Sequence, residues 1–340
     1  MIRIGLLGAG FMGATHAAAY AQINEAKLTA IADRNRPAGE LLASQHSAKY
    51  FSTVNELLDS GLCDAVDICL PTFLHESSFI AAAERGLHVL CEKPIVISLE
   101  AMDRIILSAR TAGIKAMVAQ VIRFWPEYVV IRNTFLDGTL GRPRVVRAAR
   151  LATPPQWGSW FRDPLLSGGA LFDLHLHDLD FTYSLFGKPS SVFSTGIQGD
   201  TGGWDHVLTV LDYGDLKAQI EGSFIMPSGF PFQMSYRLDG DKGSIDFSSS
   251  ITEQVDQRNL ATTKLTLYRE GTMPVSPVKP SEDSYLAEIR YFVNCLEQDC
   301  HPEIATLEEA REVILITLAA RHSLEAGTIV PLSLHGTTDS

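Results

Sequence analysis

No stretch of the 340-residue chain approaches the roughly 20 consecutive apolar residues that a membrane-spanning helix requires, so no span is expected. The N-terminus, MIRIGLLGAG, lacks a charged segment followed by a long apolar one and a small-residue cleavage site, which excludes a signal peptide there. No block of lysine and arginine occurs, and a formal net charge of −12 opposes binding to nucleic acid, whose phosphates need clustered cations. Cysteine is scarce: five residues (Cys63, Cys69, Cys91, Cys295, Cys300), odd in number and without CxxC spacing. Three of them lie in or beside apolar strand-like runs, where a thiol behaves as a small hydrophobe. That argues against a disulfide or zinc framework and for a reducing, cytoplasmic setting. Internal repeats and low-complexity tracts are also absent. What remains is a soluble globular chain, 46% hydrophobic and long enough for two or three domains.

Through residue 120, short β-like runs alternate with helix-length segments. IRIGLL (2–7), KLTAIA (27–32), AVDICL (65–70), GLHVL (86–90) and KAMVAQV (115–121) read as strands, and 11–23, 75–85 and 98–112 as crossover helices. Near-continuous apolar strands joined by helices predict a doubly wound parallel sheet. Beyond about 123 the pattern alternates instead. In LKAQIEGSFIM (216–226), Leu216, Ala218, Ile220, Phe224 and Met226 fall on one face and polar residues on the other, and QMSYRL (233–238) does the same. With turn residues near 212–215 and 239–243, this predicts a large, mainly antiparallel open sheet in an α+β domain. Two helices, about 283–298 and 307–326, close the chain. The second has Thr306 and Glu309 in capping-box spacing and Gly327 as its stop. The expected division is 1–122, a dinucleotide-binding domain, and 123–340, a substrate-binding and oligomerisation domain.

GLLGAGFMGATHAAAYA sets Gly8, Gly10 and Gly13 in GxGxxG spacing between the first strand and an alanine-rich helix, the context that the dinucleotide fingerprint requires. Gly8 permits the tight turn, Gly10 the approach of a pyrophosphate and Gly13 close helix packing, with Phe11 and Met12 inside the same loop. The helix N-terminus offers unpaired N–H groups to phosphate. Asp33 closes the second strand where an acid binds the adenosine ribose, which favours NAD; Arg34 beside it leaves NADP possible.

The fingerprint, LPTFLHESSFIAAAERGLHVLCEKP (70–94), GGALFDLHLHDLD (168–180) and the closing AARHSLEAGTIVPL (319–332) together resemble the Gfo/Idh/MocA oxidoreductases over nearly the whole chain. The resemblance implies a Rossmann fold followed by the α+β domain. It places Lys93 of the Glu92-Lys93-Pro94 turn beside the nicotinamide and substrate. It also implies an Asp173–His177 pair on a helix of the second domain, Pro71, Thr72 and His75 bordering the cofactor, and Arg123 entering the substrate domain. Relatives pair through the open sheet, which implies a homodimer or homotetramer; VLTVL (207–211), apolar on both faces, is consistent with this. One departure is visible, Ser167-Gly168-Gly169 where the family has three glycines.

The expected reaction is hydride transfer between a nicotinamide and a secondary alcohol of a sugar, sugar derivative or inositol-like polyol. It needs a hydride acceptor, a base for the hydroxyl proton and a positive group at the developing oxyanion. Asp173 and His177, four residues apart, share a helix face, and a histidine titrates near neutral pH. His177 as base with Lys93 as cation is one assignment; the reverse also works, since a desolvated lysine reaches a pKa of about 7–8. Asp173 would orient a substrate hydroxyl or tune the charge of its two neighbours. Trp157 and Trp160 can stack on a sugar ring or pack against protein, and His75 can simply cap the helix at 75–85. His175 and His177 form an HxH pair, but with no further ligand in suitable positions no metal is expected. Two other functions share this frame: a glycosidase that uses NAD transiently, and a cofactor-sensing regulator without catalysis.

Overall fold

Six strands, β1 (Ile2–Leu7), β2 (Ala26–Ala32), β3 (Lys49–Phe51), β4 (Ala65–Ile68), β5 (His88–Glu92) and β6 (Ala116–Ala119), pair in the order β3-β2-β1-β4-β5-β6, all parallel. The helices α1 (Phe11–Tyr20), α2 (Arg36–Gln45), α3 (Val54–Leu58), α4 (His75–Ala83) and α5 (Leu99–Ala112) alternate with them. Strands covered on both faces carry apolar residues throughout, and Ile4, Leu6, Leu7, Val66 and Ile68 are fully buried. The chain order reverses between β1 and β4, and ligands of such sheets bind beyond the carboxyl ends of the strands at that point.

The structure is a computed structural model and describes residues 1–154, 160, 163–253 and 259–332. Its second sheet begins after α6 (Pro126–Leu136). It contains β7 (Pro143–Leu151), β8 (Ser191–Gln198), β9 (Trp204–Tyr213), β10 (Leu216–Ser223), β11 (Phe232–Gly240), β12 (Gly243–Glu253) and β13 (Asn259–Arg269), with the short β14 (Val330–Pro331) at one edge. Only β7 and β10 pair in parallel. The hairpins β9–β10 and β11–β12 turn at the glycine- and aspartate-bearing segments expected to turn, Gly214 with a φ of +78° among them. Helices α7 (Pro164–Ser167) and α8 (Leu176–Phe186) lie between β7 and β8, and α9 (Ser284–Glu297) and α10 (Leu307–Ala326) follow β13. The capping box forms as expected: the Thr306 N–H donates to Glu309 Oε2 at 3.0 Å and the Glu309 N–H to Thr306 Oγ1 at 3.1 Å. No described helix is long and apolar enough to cross a membrane.

The division of the chain differs from one cut near residue 122. One unit is Met1–Trp125 with Ser281–Arg311, and the other is Pro126–Pro280 with the chain from Glu312 onward. Burial explains the return of 281–311. Leu286, Ile289, Phe292, Val293 and Leu296 make one stripe of α9 and sit in the same core as Leu6, Leu28, Leu90 and Met117 of the parallel sheet. Each such side chain contributes about 1.5–3 kcal/mol by leaving water.

A second difference lies at Asp173. Leu171–His175 forms a π-helical turn, and regular α-helix starts only at Leu176. Gly168 and Gly169, with φ of +78° and +65°, lead into it. Ser167 ties that loop, donating to Asp163 O at 3.0 Å and accepting from the Gly169 N–H at 3.1 Å.

Helix α8 is fixed to its sheet by a buried ion pair. Arg150 on β7 donates to Asp178 through Nε (3.0 Å) and Nη2 (3.1 Å), and its Nη2 also donates to Tyr128 Oη at 3.0 Å. Burial opposes the Arg150 charge, but Asp178 more than offsets it and raises the guanidinium pKa. Arg150→Ala would leave Asp178 buried without its cation, so unfolding of the second unit should lose about 3–5 kcal/mol, measured by chemical denaturation.

Candidate active site

At the carboxyl end of β1 the glycines meet different demands. Gly8 has a φ of +105°, and a Cβ there would lie 2.5 Å from Cys69 O. A Cβ on Gly13 would lie 2.0 Å from Gly8 O, so α1 can cross the strand end this closely only with glycine at that position. Gly10 is unlike both: a Cβ there meets nothing within 4 Å. Helix α1 starts at Phe11 without a side-chain cap and without an acid in its first turn. A helix start without a side-chain cap, open space at Gly10 and no acid in the first helical turn fit the pyrophosphate of a dinucleotide. Phe11 is exposed and Met12 half-buried on that first turn.

Asp33 follows β2 directly. Its Oδ2 accepts the Ala9 N–H at 2.6 Å and its Oδ1 the Asn35 N–H at 2.6 Å. The acid expected to face the ribose is therefore also the tether of the glycine loop. Arg34 beside it is exposed.

Beyond β4 and β5 the two loops are joined by His75. Its Nε2 lies 2.7 Å from Leu70 O and its Nδ1 3.0 Å from Pro94 O, with 1% of the residue exposed. This corrects the expectation that His75 caps α4: it bridges the loop after β4 to the turn after β5. Burial pulls its pKa below the ordinary histidine value. Thr72 is buried, and Pro71 and Lys93 are half-buried. Strand β5 extends to Glu92, so Lys93 is the first residue past the sheet, and the Lys93–Pro94 peptide is cis. Glu92 Oε2 accepts the Lys93 N–H at 2.9 Å.

In the second unit, Asp173 is half-buried on the π turn and His177 buried on the first turn of α8. The neighbours of His177 fix that turn. Asp178 binds Arg150, and His175 Nε2 lies 2.8 Å from Thr209 Oγ1 on β9. Burial, with a smaller effect of His206, lowers the His175 pKa to about 3, so this ring is a neutral structural group.

Arg123, proposed as a residue entering the substrate domain, is held from another helix. It is 4% exposed, and its Nη1 donates to Glu309 Oε2 at 2.8 Å. Trp160 is half-buried, and Trp157 lies outside the described residues. A cluster that the sequence reading missed is His16, Asp67 and Cys69, the one set of His, Cys, Asp or Glu groups among the described residues close enough together to hold a metal. Its distances are those of hydrogen bonds: His16 Nδ1 to Asp67 Oδ2 is 2.8 Å, and Cys69 Sγ donates to Asp67 Oδ1 at 3.4 Å. The signal that could have revealed it is an acid inside the apolar run AVDICL, since a buried carboxylate requires a donor.

A parallel sheet with this strand order, a close glycine turn and an open helix N-terminus define a dinucleotide-binding Rossmann unit joined to a second α+β unit. Sequence models of the two halves of one family match this chain: the NAD-binding Rossmann fold of the Gfo/Idh/MocA oxidoreductase family over residues 2–120, and that family's C-terminal domain over 128–246. The chain belongs to the Gfo/Idh/MocA family and is an NAD-binding oxidoreductase. It is 27% identical to myo-inositol 2-dehydrogenase of Thermotoga maritima across 97% of this chain and 98% of that one. Identity to D-xylose 1-dehydrogenase (NADP(+)) 2 of Haloferax volcanii is 28%, across 96% and 99%. Among solved structures, the UDP-N-acetylglucosamine 3-dehydrogenase of Acidithiobacillus ferrooxidans superposes with a TM-score of 0.77 at 25% identity, covering 96% of this chain and 98% of that one.

The glycines can be told apart experimentally. Gly13→Ala should destabilise the first unit by about 1–3 kcal/mol, because a Cβ strikes backbone. Gly10→Ala should leave the thermal midpoint nearly unchanged and weaken NAD about 10-fold or more, read by calorimetric titration.

Proposed function

We propose that the protein transfers a hydride between a nicotinamide and a secondary alcohol of a sugar or inositol-like polyol. The observation that carries this is Lys93, held at the first position beyond β5 in a chain that matches inositol and xylose dehydrogenases along its whole length. When bound, the nicotinamide supplies the hydride chemistry. The protein must then move a proton and stabilise an oxyanion. His177 takes the hydroxyl proton, a role for which histidine is suited near neutral pH. Lys93 places positive charge at the developing oxyanion, an effect worth about 100- to 1,000-fold in comparable sites. Asp173 receives a neighbouring hydroxyl of the substrate.

The cofactor preference follows from Asp33: a carboxylate held at the end of β2 repels a 2′-phosphate, so NAD is preferred to NADP. Because Asp33 also holds the Ala9 N–H, Asp33→Ala should weaken both dinucleotides, NAD by about 10-fold or more and NADP by less, as measured by equilibrium titration. Equal losses would mean that Asp33 serves the loop alone. Phe193 and Val210, paired across β8 and β9 and both partly exposed, form an apolar patch on the outer sheet face. This patch suits assembly of a homodimer or homotetramer through that face. All five cysteines are free, in keeping with a reducing, cytoplasmic setting.

A panel of polyols, aldoses and sugar acids with NAD+ and NADP+ tests the reading. NADH should accumulate with at least one substrate, and Lys93→Ala and His177→Ala should each lower kcat by about 100-fold or more while NAD still binds. Undiminished turnover in both variants refutes the site. Release of a leaving group from a glycoside without net NADH assigns transient redox chemistry instead.

A further inference from the structure

Among the polar side chains of helix α1, His16 has no exposed surface and is not used by the reaction above. Its Nδ1 is hydrogen-bonded to Asp67 Oδ2 at 2.8 Å, and its Nε2 lies 3.2 Å from Glu92 Oε1 as a charge contact without hydrogen-bond geometry. Asp67 belongs to β4 and Glu92 to β5, so one ring spans two neighbouring strands near their carboxyl ends. Each carboxylate then uses its second oxygen on the chain leaving its strand. Asp67 Oδ1 accepts from Cys69 Sγ at 3.4 Å, and Glu92 Oε2 accepts the Lys93 N–H at 2.9 Å.

We propose that His16 is a positioning residue for Lys93: clamped between Asp67 and Glu92, it fixes the carboxylate that holds the Lys93 backbone. The inference rests on the reading of Lys93 as the cationic group of a dehydrogenase. The charges around the ring support it. Burial disfavours the His16 cation and the Asp67 carboxylate favours it, and its pKa lies above the ordinary histidine value. The thiol of Cys69 is pushed up by burial and by Asp67, so it stays neutral. Two phenols approach from either side, Tyr20 on α1 and Tyr285 on α9, the latter with its ring centroid 6.0 Å from that of His16. Burial raises both, Asp67 adding to Tyr20 and Glu92 to Tyr285, so they too stay neutral. Glu288, fully buried on α9, adds further negative charge to the phenols. The raised pKa favours a His16 cation facing carboxylates. Because the folded pKa is raised, this contribution is present below the ordinary histidine value and is lost as pH rises through the folded one.

A truncated clamp loosens the start of the turn that aims Lys93, and misplacements of about 1 Å are enough to cost about 100-fold in turnover. The test uses two variants, because His16→Gln empties a fully buried site and risks misfolding. Glu92→Gln keeps an acceptor for the Lys93 N–H and removes only the charge facing His16. In the unliganded protein, 15N NMR should find the His16 ring doubly protonated from about pH 6 to 8. Amide exchange at Lys93 should quicken about 10-fold in a folded variant while amides of β7 are unchanged. With substrate, kcat should fall about 10-fold or more and KM change by less than about threefold. A neutral His16 ring at neutral pH overturns the proposal. So does a folded variant with lowered thermal stability but unaltered Lys93 exchange and kcat, the result of a purely structural role. If the wild-type protein oxidises no polyol, the proposed function fails, and ring protonation and Lys93 exchange still decide whether the clamp exists.

Discussion

The arrangement of the first unit depends on how closely α1 approaches the ends of β1 and β4. At Gly13 the helix comes so near the Gly8 carbonyl that a Cβ would lie 2.0 Å from it, and Gly8 is as tightly placed against Cys69 O. Two glycines make that approach possible, and two consequences follow from the same contact. The helix N-terminus lies at the switch point of the sheet without a side-chain cap, and the next turn of the helix sits directly over β4. The first consequence provides a place for an anion. The second lowers His16 to the level of Asp67.

Once His16 lies there, the acids of β4 and β5 are explained. A parallel strand buried on both faces has little reason to carry a carboxylate, because an unpaired buried charge costs several kcal/mol. Asp67 and Glu92 are buried together with a histidine between them, so each acid supports the other's placement through one ring. The groups that leave the sheet at this edge, Cys69 and Lys93, take their positions from the oxygens left over. His75 adds a second, independent link between the same two loops. Binding loop and lysine turn are thus both tied to the strands beneath them, which suits groups that must meet a ligand at fixed geometry.

The local requirements were legible in the sequence. Gly8, Gly10 and Gly13 between a strand and a helix, Thr306 and Glu309 at capping spacing, and the alternation at 216–226 each follow from a few neighbouring residues. Features set by distant partners were not. Helical periodicity marked α9 as amphipathic but did not say that its apolar stripe covers the parallel sheet. The bond from Arg123 to Glu309 joins residues far apart in the chain, so it could not be read locally, although the capping role of Glu309 could. The π turn at 171–175 was hidden because Leu171, Phe172, Leu174 and Leu176 are all apolar and buried, which erases the periodicity that separates one helix type from another.

The two units use buried charge in a similar way. Glu92 precedes Lys93 and lies against His16; Asp178 follows His177 and is bound to Arg150, while His175, two residues before, is bound to Thr209. In each unit the sequence neighbours of a residue proposed to act on substrate are held by partners from other strands or helices. The backbone at Lys93 and at His177 is thereby fixed by contacts that are distant in sequence, which suits groups that must meet a ligand at set geometry.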